Sequence, residues 1–405
     1  MVISPTVSEQ PASTYSSQTV FPDITDNKPK RVMIVAGEAS GDAYGGALVQ
    51  SVHRRDSSVS FFGIGGKSMA ESGVTILHDC SELAVVGIVE VIKHFKVIST
   101  AFKELSHHLR TNPPDLLVLI DYPGFNLRLA AIAKRAGVKV LYYISPQIWA
   151  WKKGRIKKIK QIVDHMAVIL PFEAQYYEKE KIPVSFVGHP LLDMVKMTLS
   201  HDEAAICLGI NPQRTTIGLF PGGRQSEVTR MLPVLVKAAK LLKEKIPDVQ
   251  FILPVASTLT EADMLPHLGA FAEDVLMTHG EIHTVMRACD AIVSVSGTVT
   301  LEVALVGTPQ VIVYRLSPIT YYLARLLVDV PFIGLCNIVA GEQVAKELIQ
   351  DQASPEAISE EILRLVRDKA YRATITQKLS EIPEKLGAPG AHERLAEQLL
   401  SMVYS

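Results

Sequence analysis

The sequence predicts an α/β protein of two doubly wound halves with a cleft between them, and three observations carry that expectation. Short, wholly apolar runs alternate with helix-length segments, the pattern of parallel strands buried on both faces. This alternation stops after Gly188-His189-Pro190 and restarts near Ile217. The chain's 405 residues also exceed the size at which a single hydrophobic core keeps growing.

Residues 1–28 are rich in Ser, Thr, Pro and Gln and hold too few large apolar groups to offset the entropy of ordering them, so they read as a disordered tail. The first basic residue is Lys28, which argues against an Arg-rich targeting peptide. A strand is expected over 32–36, a small-residue turn over 37–42 and a helix through Val52. Further strands fall at 61–64, 116–120, 140–144, 166–169 and 185–187, with a helix over 127–136. Around 190–215 the chain turns polar and helical, as a hinge would. The second half then offers strands at 217–220, 251–255, 291–295 and 311–314, and a final helix at 391–403 is placed to cross back over the first domain. The expected division is a tail (1–28), a first domain (29–190, joined by 386–405) and a second domain (191–385).

Composition removes several function classes. A formal net charge of −1 gives no reason to expect nucleic acid as a partner. Cys80, Cys207, Cys289 and Cys336 lie far apart without CxxC or Cys/His spacing, which argues against a disulfide framework or a zinc site and suits a reducing compartment. No apolar run reaches the roughly 18 to 20 residues that a spanning helix needs.

Ligands of doubly wound folds bind beyond the carboxyl ends of the strands, so the post-strand loops are where chemistry is expected. In the second half, Gly222 and Gly223 of Pro221-Gly222-Gly223-Arg224 let backbone N–H groups approach an anion at a helix start, and Arg224 adds a clamp for phosphate. A plain tight turn with a solvated arginine fits equally. The loop Ser296-Gly297-Thr298 offers donors to a diphosphate, and Glu302, one turn into the next helix, is placed to accept ribose hydroxyls or merely to complement the helix dipole. Two anion-ready loops in one half favour a nucleotide diphosphate over two coincidental turns.

In the first half, the loop at 37–42 lacks GxGxxG order, and its acidic pair Glu38 and Asp42, with Ser40, suits sugar hydroxyls better than pyrophosphate. A glycine-rich turn with Asp42 at the helix start is the structural alternative. Asp121 ends a buried strand facing the cleft, where desolvation raises a carboxylate toward a useful general base; capping the next helix is its structural alternative. His189 stands beside the hinge as a substrate contact, a competing base or a structural histidine. Trp149 and Trp151 precede a basic amphipathic helix carrying Lys153, Lys157 and Lys160, which suits an anionic lipid surface or simply a solvated face. The apolar stretch 83–95 is too short to span a bilayer and reads as core or as a segment dipping into acyl chains.

These segments together resemble a known family. GEASGD at 37–42, FFGIGGKSM at 61–69, ELAVVGIVEV at 82–91, ISPQIWAWKKGRIKKI at 144–159, LPFEAQYY at 170–177 and FVGHPLLD at 186–193 occur in the order seen in lipid A disaccharide synthases. PGGR at 221–224, SGTVTLE at 296–302 and VYRLSP at 313–318 extend the likeness over roughly residues 30–350. The resemblance implies a GT-B arrangement of two Rossmann-like domains and an inverting transfer of 2,3-diacylglucosamine from UDP to 2,3-diacylglucosamine 1-phosphate (lipid X). It implies UDP in the second half, the acylated acceptor in the first, no metal and no other cofactor. It also implies peripheral association with the cytoplasmic face of the inner membrane. By the same resemblance Asp121 is the base, Arg224 binds phosphate, Glu302 binds ribose, and Asn337 and Gln343 complete the UDP site, within one chain or across a homodimer with exchanged C-terminal segments.

Two departures stand out. Gly124 replaces a carboxylate common in the family, leaving Asp121 to act without it, and PGGR replaces PGSR, losing a hydroxyl but keeping the arginine. A UDP-GlcNAc 2-epimerase-like isomerase shares the expected scaffold and is the alternative enzyme. A nonenzymatic nucleotide-binding scaffold is a third reading, against which the presence of Asp121, Arg224 and Glu302 counts.

Overall fold

Valine, isoleucine and leucine fill both faces of two parallel sheets, and these residues dictate where the strands lie. The computed structural model describes residues 29–83, 88–146, 155–196, 198–317, 321 and 331–405, with main chain alone over 88–95. The first sheet contains β1 (Arg31–Ala36), β2 (Ser60–Gly65), β3 (Val74–Asp79), β4 (Leu116–Ile120), β5 (Lys139–Tyr143), β6 (His165–Val168) and β7 (Val184–Phe186). Their spatial order is β3-β2-β1-β4-β5-β6-β7. The second sheet contains β8 (Thr216–Phe220), β9 (Gln250–Val255), β10 (Val275–His279), β11 (Ala291–Val295), β12 (Gln310–Tyr314) and β13 (Lys346–Ile349). Its order is β10-β9-β8-β11-β12-β13. Every pairing is parallel.

In each sheet the strand order reverses once, between β1 and β4 and between β8 and β11. Crossovers on either side of a reversal depart to opposite faces and leave a crevice beyond the strand ends. The loops that open there are 37–38 and 121–122 in one domain and 221–224 and 296–298 in the other. Topology thus gathers four of the segments singled out by sequence.

Three strands escape a reading based on continuous apolar runs: β3, β10 and β13. All lie at sheet edges. Only part of each is buried, and half-buried or exposed Thr, His, Lys and Glu interrupt the apolar pattern. β5 ends at Tyr143 rather than at Ile144, whose φ of 65° takes the chain out of the sheet. The helix expected at 127–136 begins earlier, at Pro123, because proline is already set for a first helical turn.

The C-terminal helix Ala391–Tyr404 packs against helix Ala39–Arg55 of the first domain. Leu395 and Leu399 are fully buried, worth about 1.5–3 kcal/mol each. The flanking pairs Arg54–Glu393 (2.5 Å) and Arg55–Glu397 (2.7 Å) lie at the surface and contribute less. Asp193, between β7 and β8 in the chain, accepts the Gly390 and Ala391 N–H groups at 2.5 and 2.8 Å, while Arg394 donates to the Val187 carbonyl at 2.8 Å. The returning helix is therefore tied to the segment that joins the two sheets.

Helix Arg155–Ile162 buries Ile159 and Ile162 and exposes Lys157, Lys158 and Lys160. Trp149, Trp151 and Lys153 lie outside the described residues, as do residues 84–87 and the side chains of 88–95. Among the described residues no helix is long and apolar enough to cross a membrane.

Candidate active site

The turn after β4 is strained in a way that serves the cleft. Asp121 and Tyr122 have φ of 46° and 44°, a region that L-residues other than Asn and Asp seldom enter. Fixed partners hold it there. Tyr142 Oη donates to the Asp121 carbonyl at 2.6 Å, Asn126 Nδ2 donates to the same oxygen at 2.8 Å, and the Asp121 N–H donates to the Tyr143 carbonyl at 3.0 Å. The Tyr122 ring stacks on Phe125 and its hydroxyl donates to the Leu83 carbonyl at 3.0 Å. Gly37 makes room for that ring, since a Cβ there would come within 2.4 Å of Tyr122 Cγ.

Asp121 consequently lines a cavity shared with Glu38, Ser40, Glu173, His189 and, from the second domain, Thr298. Its side chain opens to the cleft but is crowded by protein on its other sides. Burial, the charge of Glu38 and, more weakly, that of Glu173 push its pKa up to about 7, against a main-chain hydrogen bond from Tyr122. His189 is buried, and burial holds its pKa down to about 3. Its Nδ1 accepts the Leu191 N–H at 3.2 Å. Neutral, with that lone pair committed, the ring is poorly suited to compete with Asp121 as a base.

Across the cleft, the 221–224 loop already holds an anion belonging to the chain. Gly222 adopts φ of 105°, and a Cβ there would meet Glu227 Oε2 at 2.3 Å. Glu227 accepts the Gly223 N–H at 3.1 Å through Oε2 and Arg224 Nη1 at 2.7 Å through Oε1. The other guanidinium nitrogen, Nη2, donates to Glu38 Oε2 at 2.8 Å. The clamp expected for phosphate thus sits between two carboxylates, whose charges outweigh burial and raise its pKa.

In the second loop, Ser296 Oγ donates to the Ile333 carbonyl at 2.9 Å and Thr300 Oγ1 donates to the Gly297 carbonyl at 2.8 Å, closing the turn that presents Thr298. Glu302 Oε2 lies 3.1 Å from His283 Nε2, and both side chains are partly buried.

Two residues singled out by sequence are committed elsewhere. Asp42 Oδ1 accepts the Gly66 and Met69 N–H groups at 2.6 and 3.1 Å, and Oδ2 accepts that of Ser68 at 2.9 Å. It caps the short helix Lys67–Glu71 from outside, a structural task different from the place at its own helix start that the sequence offered as the alternative to sugar contact. Asn337 is fully buried. Its Oδ1 accepts the Val344 and Ala345 N–H groups at 2.8 and 2.9 Å, and its Nδ2 donates to the Ala345 carbonyl and Glu347 at 2.7 and 2.8 Å. Asn337 binds its own loop here, and Gln343 is exposed on that loop.

Four further residues stand at the site: Tyr44 and Glu173 in the cavity wall, Glu227 beside Arg224 and His283 beside Glu302. Glu173 stands inside LPFEAQYY, five residues past the end of β6 and in the first turn of the helix Pro171–Lys179, where a carboxylate in a post-strand segment is the available signal. Glu227 lay three residues beyond Arg224, one helical turn away. Nothing local distinguished Tyr44 or His283.

Comparison with known proteins bears on the fold and on the family. Solved structures of similar fold include the UDP-GlcNAc 2-epimerase from Neisseria meningitidis bound to UDP-GlcNAc, with a TM-score of 0.61 and 14% identity over 92% of this chain and 100% of that one. The glycotransferase of kitacinnamycin has a TM-score of 0.61 and 14% identity over 93% and 99%. Likeness at that identity shows a fold common to transferases and epimerases, and no more. Sequence relatives are far nearer. The lipid-A-disaccharide synthase of Trichlorobacter lovleyi is 59% identical over 93% of this chain and 98% of its own, and that of Geobacter sulfurreducens 53% over 94% and 99%. The synthase of Nitrosococcus oceani is 49% identical over 93% and 97%. With residues 32–400 matching the family described as Lipid-A-disaccharide synthetase, the chain belongs to that family of glycosyltransferases.

Proposed function

We propose that this chain transfers 2,3-diacylglucosamine from UDP to the 6-hydroxyl of 2,3-diacylglucosamine 1-phosphate. The acceptor oxygen forms a bond to the anomeric carbon as the bond to the UDP oxygen breaks on the opposite face, giving a β-1,6 linkage with inversion. Asp121 takes the hydroxyl proton, and a base with a pKa near the working pH is well matched to that task. The leaving diphosphate receives its counter-charge from Arg224 and from the N–H groups of the 222–224 and 296–298 loops. Glu302, oriented by His283, takes the ribose hydroxyls.

The observation that carries this reading is the sharing of one cavity by Asp121 and Thr298, which belong to different domains. A base in one domain and a nucleotide loop in the other meet where an acceptor and a UDP-sugar would. Peripheral contact with an anionic membrane, through the exposed lysines of helix Arg155–Ile162, would bring both acylated substrates to the cleft. UDP release should require both diacylated substrates together. Release with either alone, or conversion of UDP-GlcNAc supplied by itself, would favour hydrolysis or the epimerase alternative.

A further inference from the structure

One buried hydrogen-bond donor at the cavity has no protein acceptor. His189 is 1% exposed and lines the cavity that holds Asp121, Glu38 and Glu173. Because a main-chain N–H can only donate, the contact from Leu191 fixes Nδ1 as an acceptor and places the ring proton on Nε2. That Nε2–H is buried and meets no acceptor among the described residues. Buried donors are nearly always paired, so one left over in the wall of a substrate cavity marks a position where the ligand supplies the oxygen.

The rest of the wall narrows the chemistry of that oxygen. Asp121, Glu38 and Glu173 line the same cavity, and although Arg224 pairs with Glu38, no Lys or Arg stands among the described residues that line it, which disfavours an anionic ligand group. A sugar hydroxyl suits it, because it can donate to a carboxylate and accept from an N–H at once. The attacking hydroxyl is a poor match, since a hydrogen bond donated to that oxygen draws electron density away from the nucleophile. In 2,3-diacylglucosamine 1-phosphate the remaining ring positions bear phosphate at 1 and acyl groups at 2 and 3, which leaves one unreacting hydroxyl, at position 4. Resting on the transferase reading above, we infer that His189 Nε2–H is the fixed donor to the acceptor's 4-hydroxyl oxygen and so turns the neighbouring 6-hydroxyl toward Asp121.

The test pairs protein variants with an acceptor analogue. His189→Leu and His189→Ala remove the donor at different bulk, and His189→Gln restores an N–H near the Nε2 position. Wild type should lose about 10- to 100-fold in kcat/KM when given the 4-deoxy acceptor, the cost of one buried hydrogen bond. Either donorless variant should show a similar loss with the normal acceptor and no further loss with the 4-deoxy one. His189→Gln should recover most of the rate, and calorimetric UDP affinity should be unchanged throughout. Additive penalties, or a loss of UDP affinity matching the loss of rate, would overturn the inference. If only one donorless variant folds, it suffices; if neither does, a 4-deoxy penalty in wild type that persists in His189→Gln supports the contact, and its absence overturns it. Wild type that stays silent with both normal diacylated substrates would instead remove the transferase reading.

Discussion

Arg224 of the second domain and Glu38 of the first form an ion pair at 2.8 Å, and it bridges the cleft where the two substrates would meet. Glu227 holds the same guanidinium at 2.7 Å from its own helix. On the proposed function, an incoming diphosphate would compete with both carboxylates for one arginine, exchanging partners with the protein instead of finding a free cation. The Glu38 contact is the one that joins the domains, and its exchange would couple nucleotide binding to the proposed acceptor half of the cleft.

Nucleotide affinity should therefore move in opposite directions in two variants. Arg224→Ala removes a charge-assisted pair worth about 1.5–3 kcal/mol, and calorimetric UDP affinity should fall by roughly one to two decades. Glu38→Gln removes a competitor and should tighten UDP. Equal weakening in both would mean that Glu38 helps to hold the nucleotide.

The rate should rise with pH as Asp121 loses its proton, with an acid limb near 7, the value to which burial and Glu38 lift it. Taking away the Glu38 charge should move that limb to lower pH, because a neighbouring anion is one of the causes that raise it. Asp121→Asn should cost about 10²- to 10⁴-fold in turnover while UDP affinity survives. A limb that does not move in Glu38→Gln would show that another group titrates.

The same carboxylate affects stability with a definite sign. Its folded pKa of about 7 lies above the ordinary 3.8, so the folded state binds the proton more tightly and loses stability as pH rises from about 4 through 7. Asn mimics the neutral acid. Thermal scans should find Asp121→Asn more stable than wild type at pH 8, with the gap closing toward pH 4. Water reaches the open side of the carboxylate and screens it, so the gain should be only a few degrees.

His283 should matter for UDP without touching the phosphates. It sits 3.1 Å from Glu302, and losing it frees the carboxylate to rotate. His283→Ala should weaken UDP about 3- to 10-fold, within the cost of one net hydrogen bond, and His283→Gln should restore most of it. Unchanged affinity in His283→Ala would separate Glu302 from the ribose.

Neutralising Lys157 and Lys160 should reduce sedimentation with anionic vesicles by about 1 kcal/mol per charge near the surface, and added salt should weaken the wild type likewise. Equal binding to neutral and anionic vesicles would remove the electrostatic part of the membrane proposal.

Local pattern carried the frame of this protein. Strands β4 and β11 run over the residues expected because their side chains are all buried and, Ser294 apart, all apolar, a property visible in five consecutive letters. Both chemistry-bearing turns of each half could be found because a doubly wound sheet has one place for them. Local pattern did not disclose which polar groups would meet. Asp42 and Asp121 each follow a strand of the same sheet, yet three N–H groups from 66–69 occupy the first while the strained turn at 121–122 leaves the second open to the cleft. Asn337 binds residues seven to ten positions away, and Arg224 finds Glu38 at a separation of 186 residues. A strand is dictated by the burial of its own side chains, whereas the work open to a carboxylate depends on which donors and charges the folded chain brings within 3 Å of it, and those come from distant parts of the sequence.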